Sequence, residues 1–160
     1  MIKKRILGID YGDFTIGLAI FDLETNFIYP YKTIFRSRAS AIKKSVREIV
    51  GVIYEEGISD IVIGYPLNAD GTEGERVEKV KEFAKKIENA LTNAERERKL
   101  DSVNHDVNVP AIHFQDERLT TVEAEEVLKE RGIKKADWKK NIDQIAAEII
   151  LQDFKQVNKL

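Results

Sequence analysis

Four acidic positions stand where a carboxylate could do chemistry: Asp10, the adjacent Asp116 and Glu117, and Asp143. Asp10 closes the apolar run Ile6-Leu7-Gly8-Ile9, and a carboxylate buried at such a place is costly unless it is paired or meets a cation. Gly8 and Gly12 flank it without side chains, which leaves room for a bulky ligand. The competing reading is a turn aspartate that bonds its own backbone. Asp116 and Glu117 follow the run PAIHFQ, and strand alternation lets only one of them face a given site. The local pattern does not choose between them. Asp143 falls in the first turns of a helical pattern, with Ala146, Ala147, Ile150 and Phe154 spaced behind it on one apolar stripe. A first-turn aspartate favoured by the helix dipole would explain the turn but not the face.

Carboxylates from two strand ends and one helix start could converge on one rim of a sheet. Hard divalent cations such as magnesium take oxygen ligands of this kind. Two such ions roughly 3.5–4 Å apart clamp the attacking and leaving oxygens of a phosphodiester displacement. That chemistry needs no cysteine, and the chain has none. It does not require histidine either. His105 lies in a polar stretch, and His113 alternates with Ile112 and Phe114 as a packed strand residue would. A second feature is the segment GYPLNADGTEGER at 64–76, whose glycines, Asn68, Asp70 and Thr72 offer backbone N–H groups and hydroxyls that could cradle phosphate. No Gly-Lys-Ser/Thr follows, so it is not a Walker A loop. The plainer reading is a strand-to-helix turn.

The elements that must position these groups are legible in outline. Residues 5–11, 15–21 and 27–35 read as short strands joined by tight turns, an antiparallel meander whose third member is an edge because of Pro30. Ser40 could cap a helix over 41–56 that Gly57 ends. Residues 60–64 form a continuous apolar strand of the parallel kind. A helix follows over 74–91, then a polar stretch at 92–109 read as a surface loop or frayed helix end. Residues 110–115 make a last strand, Thr120 or Thr121 caps a helix over 122–131, and a final helix covers 139–156. Strands alternating with helices predict an α/β fold with a mixed sheet covered on its faces, in a single domain spanning 1–160.

With 160 residues, 42% hydrophobic and 34% charged, the chain can bury a sizeable core. Net charge is −2, so nucleic-acid binding is not advertised overall. Three basic clusters could still act locally or be solvated surface: Lys3-Lys4-Arg5, then Arg36, Arg38, Lys43, Lys44 and Arg47, then Lys134, Lys135, Lys139 and Lys140. No stacking platform of aromatic residues stands out. Asp10 interrupts the apolar start too early for a signal peptide, and no run is long enough to span a bilayer, which predicts a cytoplasmic protein without a membrane partner. Oligomeric state is open between a monomer and a weak dimer.

The runs GIDYGDFTIGLAIFD, VIGYPLNADGTEGE, DERLTTVEAE and IDQIAAEIILQDF stand in the order and spacing of the YqgF/RuvX-like family, which the chain resembles along almost its whole length. Members are described as Holliday junction resolvases or as pre-16S rRNA nucleases. The resemblance implies an RNase H-like fold with a five-stranded mixed sheet, three antiparallel strands followed by two parallel ones, and helices on both faces. It implies a magnesium- or manganese-dependent endonuclease, with two ions held by Asp10, Glu117 and Asp143 as the catalytic and metal-binding set. By analogy with related nucleases, Glu117 rather than Asp116 turns inward. Gly12, Asn68, Asp70, Gly71, Arg118 and Thr121 would border the substrate, a structured RNA such as precursor 16S rRNA, or else a branched DNA junction. Thr15 stands where family members often carry a basic residue, so one expected phosphate contact is missing. The other readings are an ATPase of the actin kind, which needs two such lobes, and a non-catalytic nucleic-acid-binding module.

Overall fold

A computed structural model describes residues 4–36, 42–101, 109–118 and 120–160. Ser40 and His105 lie outside the described residues, as do the side chains of Thr120 and Thr121. The first three strands, β1 (Arg5–Tyr11), β2 (Thr15–Asp22) and β3 (Phe27–Phe35), form the expected antiparallel meander. Next come α1 (Ile42–Glu56), β4 (Ile58–Tyr65), α2 (Glu75–Asp101), β5 (Ala111–Asp116), α3 (Thr120–Glu130) and α4 (Trp138–Val157), the last preceded by one 3-10 turn. The strand order is β3-β2-β1-β4-β5, with β4 parallel to both β1 and β5. The sheet is thus mixed, and Pro30 does sit on its outer strand.

Strand alternation divides the core in two. Leu7, Ile9, Leu18, Ile20, Ile61 and Ile63 face α1 and α2. Ile6, Ala19, Phe21 and Val62 face α4, which lays Ala147, Ile150, Leu151 and Phe154 on them. The other side of α4, through Ile145, Ala146 and Ile149, packs on Ala124 and Leu128 of α3. Gly57 ends α1 and Gly132 ends α3, both at positive φ, where glycine carries no Cβ penalty.

Three expectations need correction. The helix expected over 74–91 runs on to Asp101, so the first part of the stretch read as a surface loop or frayed helix end is regular helix. Leu91 continues its buried stripe, and the polar turns beyond are anchored by Glu95, which is buried and accepts a 2.7 Å hydrogen bond from Tyr54 of α1. A carboxylate facing inward hides the helical period. Secondly, not all of the basic residues are free surface charge. Arg5 is engaged by Asp22 at 3.3 Å and Glu56 at 2.7 Å. Arg36 is only 6% exposed; its guanidinium lies 5.0 Å from the Tyr11 ring centroid and donates to the Gly12 carbonyl. Thirdly, His113 is half-exposed on β5, leaning on Phe154 and bonded to Asp60 at 3.1 Å, rather than packed in the core.

Candidate active site

The site is built on a row across the sheet. Asp10 pairs with Gly17 of β2 on one side. On the other lies Gly64 of β4, one residue beyond Ile63, the partner of Ile9. All three sit on the face covered by α4. Bare backbone on either side of Asp10 lets two other elements come down onto it. A Cβ on Gly17 would overlap the backbone carbonyl of Asp143, and one on Gly64 would overlap the Glu117 carboxylate. The first turns of α4 and the segment after β5 therefore close on Asp10 from above, and each brings a carboxylate.

Asp10, Glu117 and Asp143 line one cavity of about 210 Å³, together with Gly12, Arg76 and Arg118. Burial first, then the nearby Asp143 charge, raises the Asp10 carboxyl from 3.8 to about 6, against a hydrogen bond from Glu117 and the charge of Arg76, which lower it. Burial also pushes Glu117 up from 4.5 to about 9, with the Asp10 charge and their shared hydrogen bond adding to it. Like-charged groups a hydrogen bond apart cannot both ionise cheaply. The two carboxyls therefore share a proton, and both titrate above their ordinary values. Asp116 turns the other way and pairs with Arg118 at 2.9 Å.

Three oxygen-donor side chains around a small polar cavity suit a hard divalent ion, and the proton held between Asp10 and Glu117 occupies the role a cation would take. Among the described residues, however, no three carboxylates or histidines are already close enough together to hold an ion. To hold an ion the three would have to draw closer together.

The remaining expected residues divide. Gly12 and Arg118 line the cavity. Gly12 makes a tight turn, donating its N–H to the Thr15 carbonyl, and a Cβ there would meet that same oxygen at 2.8 Å. The space beside Gly8 is filled by Leu151 of α4, so it holds no ligand. The loop after β4 is bonded to itself. Asn68 N–H reaches the Thr72 carbonyl, Gly71 N–H reaches the Asn68 carbonyl, and Asp70 accepts from both the N–H and the hydroxyl of Thr72. The donors expected to cradle phosphate are thus engaged within the turn, and Gly71, at φ 86°, shapes it. Asn68 and Asp70 do not line the carboxylate cavity. Thr121 lies in the first turn of α3, with its side chain outside the description.

Sequence reasoning missed Gly17, Gly64 and Arg76. The glycines could have been found by asking which strand neighbours of Asp10 lack a Cβ, but that needs the register. Arg76 projects from the first turn of α2 into the cavity and makes no hydrogen bond or ion pair among the described residues.

Residues 4–156 match the RuvX family, described as a Holliday junction resolvase. The chain belongs to the RuvX family. A relative from Ruminiclostridium cellulolyticum is 39% identical over 150 residues, covering 94% of this chain and 92% of its own. One from Lachnospira eligens is 36% identical over 150 residues, covering 94% and 95%. Both carry the name "putative pre-16S rRNA nuclease". Among solved structures, Thermus thermophilus RuvC in complex with a Holliday junction substrate superposes with a TM-score of 0.57 over 96% of each chain at 12% identity. That likeness shows the fold: the RuvX chain shares the RNase H-like architecture of RuvC.

Proposed function

We propose that this RuvX protein is a metal-dependent endonuclease acting on structured nucleic acid, with Asp10, Glu117 and Asp143 holding two magnesium or manganese ions. The observation that carries this reading is the convergence of three carboxylates from β1, the end of β5 and the start of α4 on one cavity, two of them sharing a proton. When bound, such ions polarise the phosphate and generate a nucleophile from water.

The chain's own residues prepare that chemistry. Asp10, held from below by the sheet, is the fixed ligand. Glu117 would have to give up its proton to hold a cation, and its carboxylate has its place because Gly64 beneath it carries no Cβ. Asp143 closes the set from the helix. Arg76, at the cavity wall, in no ion pair among the described residues and felt by Asp10 and Glu117 only through its charge, is a cation within reach of a phosphate oxygen where Thr15 supplies none. Arg118, tied to Asp116 and reaching the Ala69 carbonyl at 3.5 Å, fixes the wall between Glu117 and the self-bonded loop.

The names of the sequence relatives support a 16S rRNA precursor as the substrate, and the family description supports a branched DNA junction as the second choice. Cleavage of both labelled substrates should be followed with and without magnesium, for the wild type and Asp10→Asn. Magnesium-dependent cleavage that disappears in Asp10→Asn is expected, with the rRNA precursor cut faster. Undiminished cleavage by Asp10→Asn would sink the assignment of the site.

A further inference from the structure

Two of the most exposed aromatic rings of the described chain lie at the sheet edge that carries the carboxylate cavity, outside its lining. Phe14, in the turn between β1 and β2, is 67% exposed, and Phe35, at the end of β3, is 66% exposed. They are distant in sequence, but pairing of β2 with β3 sets Thr15 opposite Phe35, and the Phe14 carbonyl accepts the Arg36 N–H at 2.8 Å. Phe35 lies on the α4 side of the sheet, the side of Asp10. Its strand neighbour on that face, Thr33, hydrogen-bonds the Lys140 carbonyl at 3.4 Å. From strand spacing, Phe35 stands about 12 Å from Asp10. Lys139 and Lys140, in the first turn of α4, are exposed and make no ion pair among the described residues.

Burial in a protein core does not explain these rings. Exposed phenylalanines cost solubility, and an aromatic face beside unpaired lysines is the chemistry that stacks bases and tracks a phosphate backbone. The opposite flank carries the opposite charge. Beyond Glu117, a cavity of about 480 Å³ is lined by Asp116, Glu123 and Asp153 against the single cation Arg118, which Asp116 pairs, and the remaining negative charge repels a polyanion. A nucleic acid reaching Asp10 is thereby turned away from β5 and toward β2 and β3.

We propose that Phe14 and Phe35 form a stacking platform for unpaired nucleobases adjoining the phosphate that enters the carboxylate cavity. This rests on the nuclease reading and narrows its substrate: the strand to be cut carries an unpaired flank next to the cleavage site, not a continuous duplex. Phe35 and Phe14 hold the flank by their π faces, which every base can match, so the contact sets strandedness rather than sequence.

The test is binding in EDTA, where no phosphodiester is cut. Single-stranded RNAs with 2-aminopurine at successive positions are titrated with wild type, Phe14→Ala, Phe35→Ala and the double variant, with the same sequence as a full duplex for comparison. Wild type should quench one or two adjacent positions. Each alanine variant should bind the single strand about 5- to 150-fold more weakly, the range that stacking of one base provides. Phe14→Tyr and Phe35→Tyr should restore binding, and duplex binding should not change. Both residues are exposed, so thermal unfolding of the variants should match wild type. No quenching at any position, or a double variant that binds the single strand like wild type, would overturn the proposal. So would a double variant altered only in self-association by sedimentation velocity, which would make the patch a contact between copies of the chain. Quenching by a protein that cuts neither substrate would leave the platform standing while the nuclease reading fell.

Discussion

At the scale of single residues, the shared proton between Glu117 and Asp10 is the feature with measurable consequences. Both carboxyls titrate higher in the folded chain than their ordinary values of 4.5 and 3.8. The folded state therefore holds more protons than the unfolded one above about pH 4, and stability must fall as pH rises. Without metal, that contribution is complete below the ordinary carboxylate range and is lost as pH climbs through about 6 and on toward 9. Chemical denaturation in EDTA at pH 5, 7 and 9 should show a steady decline, and Glu117→Gln should flatten it; a flat wild-type profile would remove the coupled pair. The same protons oppose metal binding. Magnesium affinity, read by calorimetry, should rise from pH 6 to 9, and the heat should depend on the buffer because protons are released. Local pattern alone does not distinguish Asp116 from Glu117. The pairing of Asp116 with Arg118 shows the reason, since the choice was made by a partner two residues on and by a glycine in another strand.

At the scale of elements, the approach of α4 to the sheet decides whether the site exists. Gly17→Ala sets a methyl against the Asp143 carbonyl, which is helix backbone and cannot step aside. Overpacking of this kind costs about 1–3 kcal/mol, and denaturant unfolding should show a loss of that size together with lost cleavage. Gly64→Ala meets the end of the Glu117 side chain and the tip of Ile150, which can rotate. Its stability loss should be smaller than that of Gly17→Ala, while its magnesium affinity should fall; equal stability losses would contradict the geometry. The outer side of α4 is held differently. Glu148 is 4% exposed and bonded by Arg131 at 2.8 and 3.2 Å. Arg131→Met would leave that carboxylate buried and unpaired. Breaking a buried pair costs about 3–5 kcal/mol, and the partial exposure of Arg131 reduces the expected loss to about 2 kcal/mol, with cleavage by the folded fraction retained.

At the scale of the whole molecule, the chain carries a net charge of −2 and three carboxylates at the site where a polyanion must arrive. On the proposed reading, bound cations would change that local sign before phosphate approaches. A metal that binds only the folded state should raise stability by about 2.7 kcal/mol at a hundred times its dissociation constant, and Asp10→Asn should abolish the increment. Strand and helix periods, which are short-range, made the order of elements readable in advance: the three-stranded meander, the continuous apolar run of β4, the edge position of Pro30 and the buried stripe behind Asp143. Where a polar residue faces inward, as Glu95 does in α2, the apolar period breaks although the helix continues. The loop at 64–76 had the composition of a phosphate cradle, but composition cannot say whether a donor is free, and these donors bond to one another. Residue types and spacing thus determined the layers and supplied the carboxylates. Strand register and helix docking alone decided that Gly17 and Gly64 flank Asp10, that Glu117 turns inward, that Arg36 is buried, and that Phe14 and Phe35 come to the same edge of the sheet. Those are contacts between residues far apart in the chain, and their energies depend on distances that no local pattern encodes.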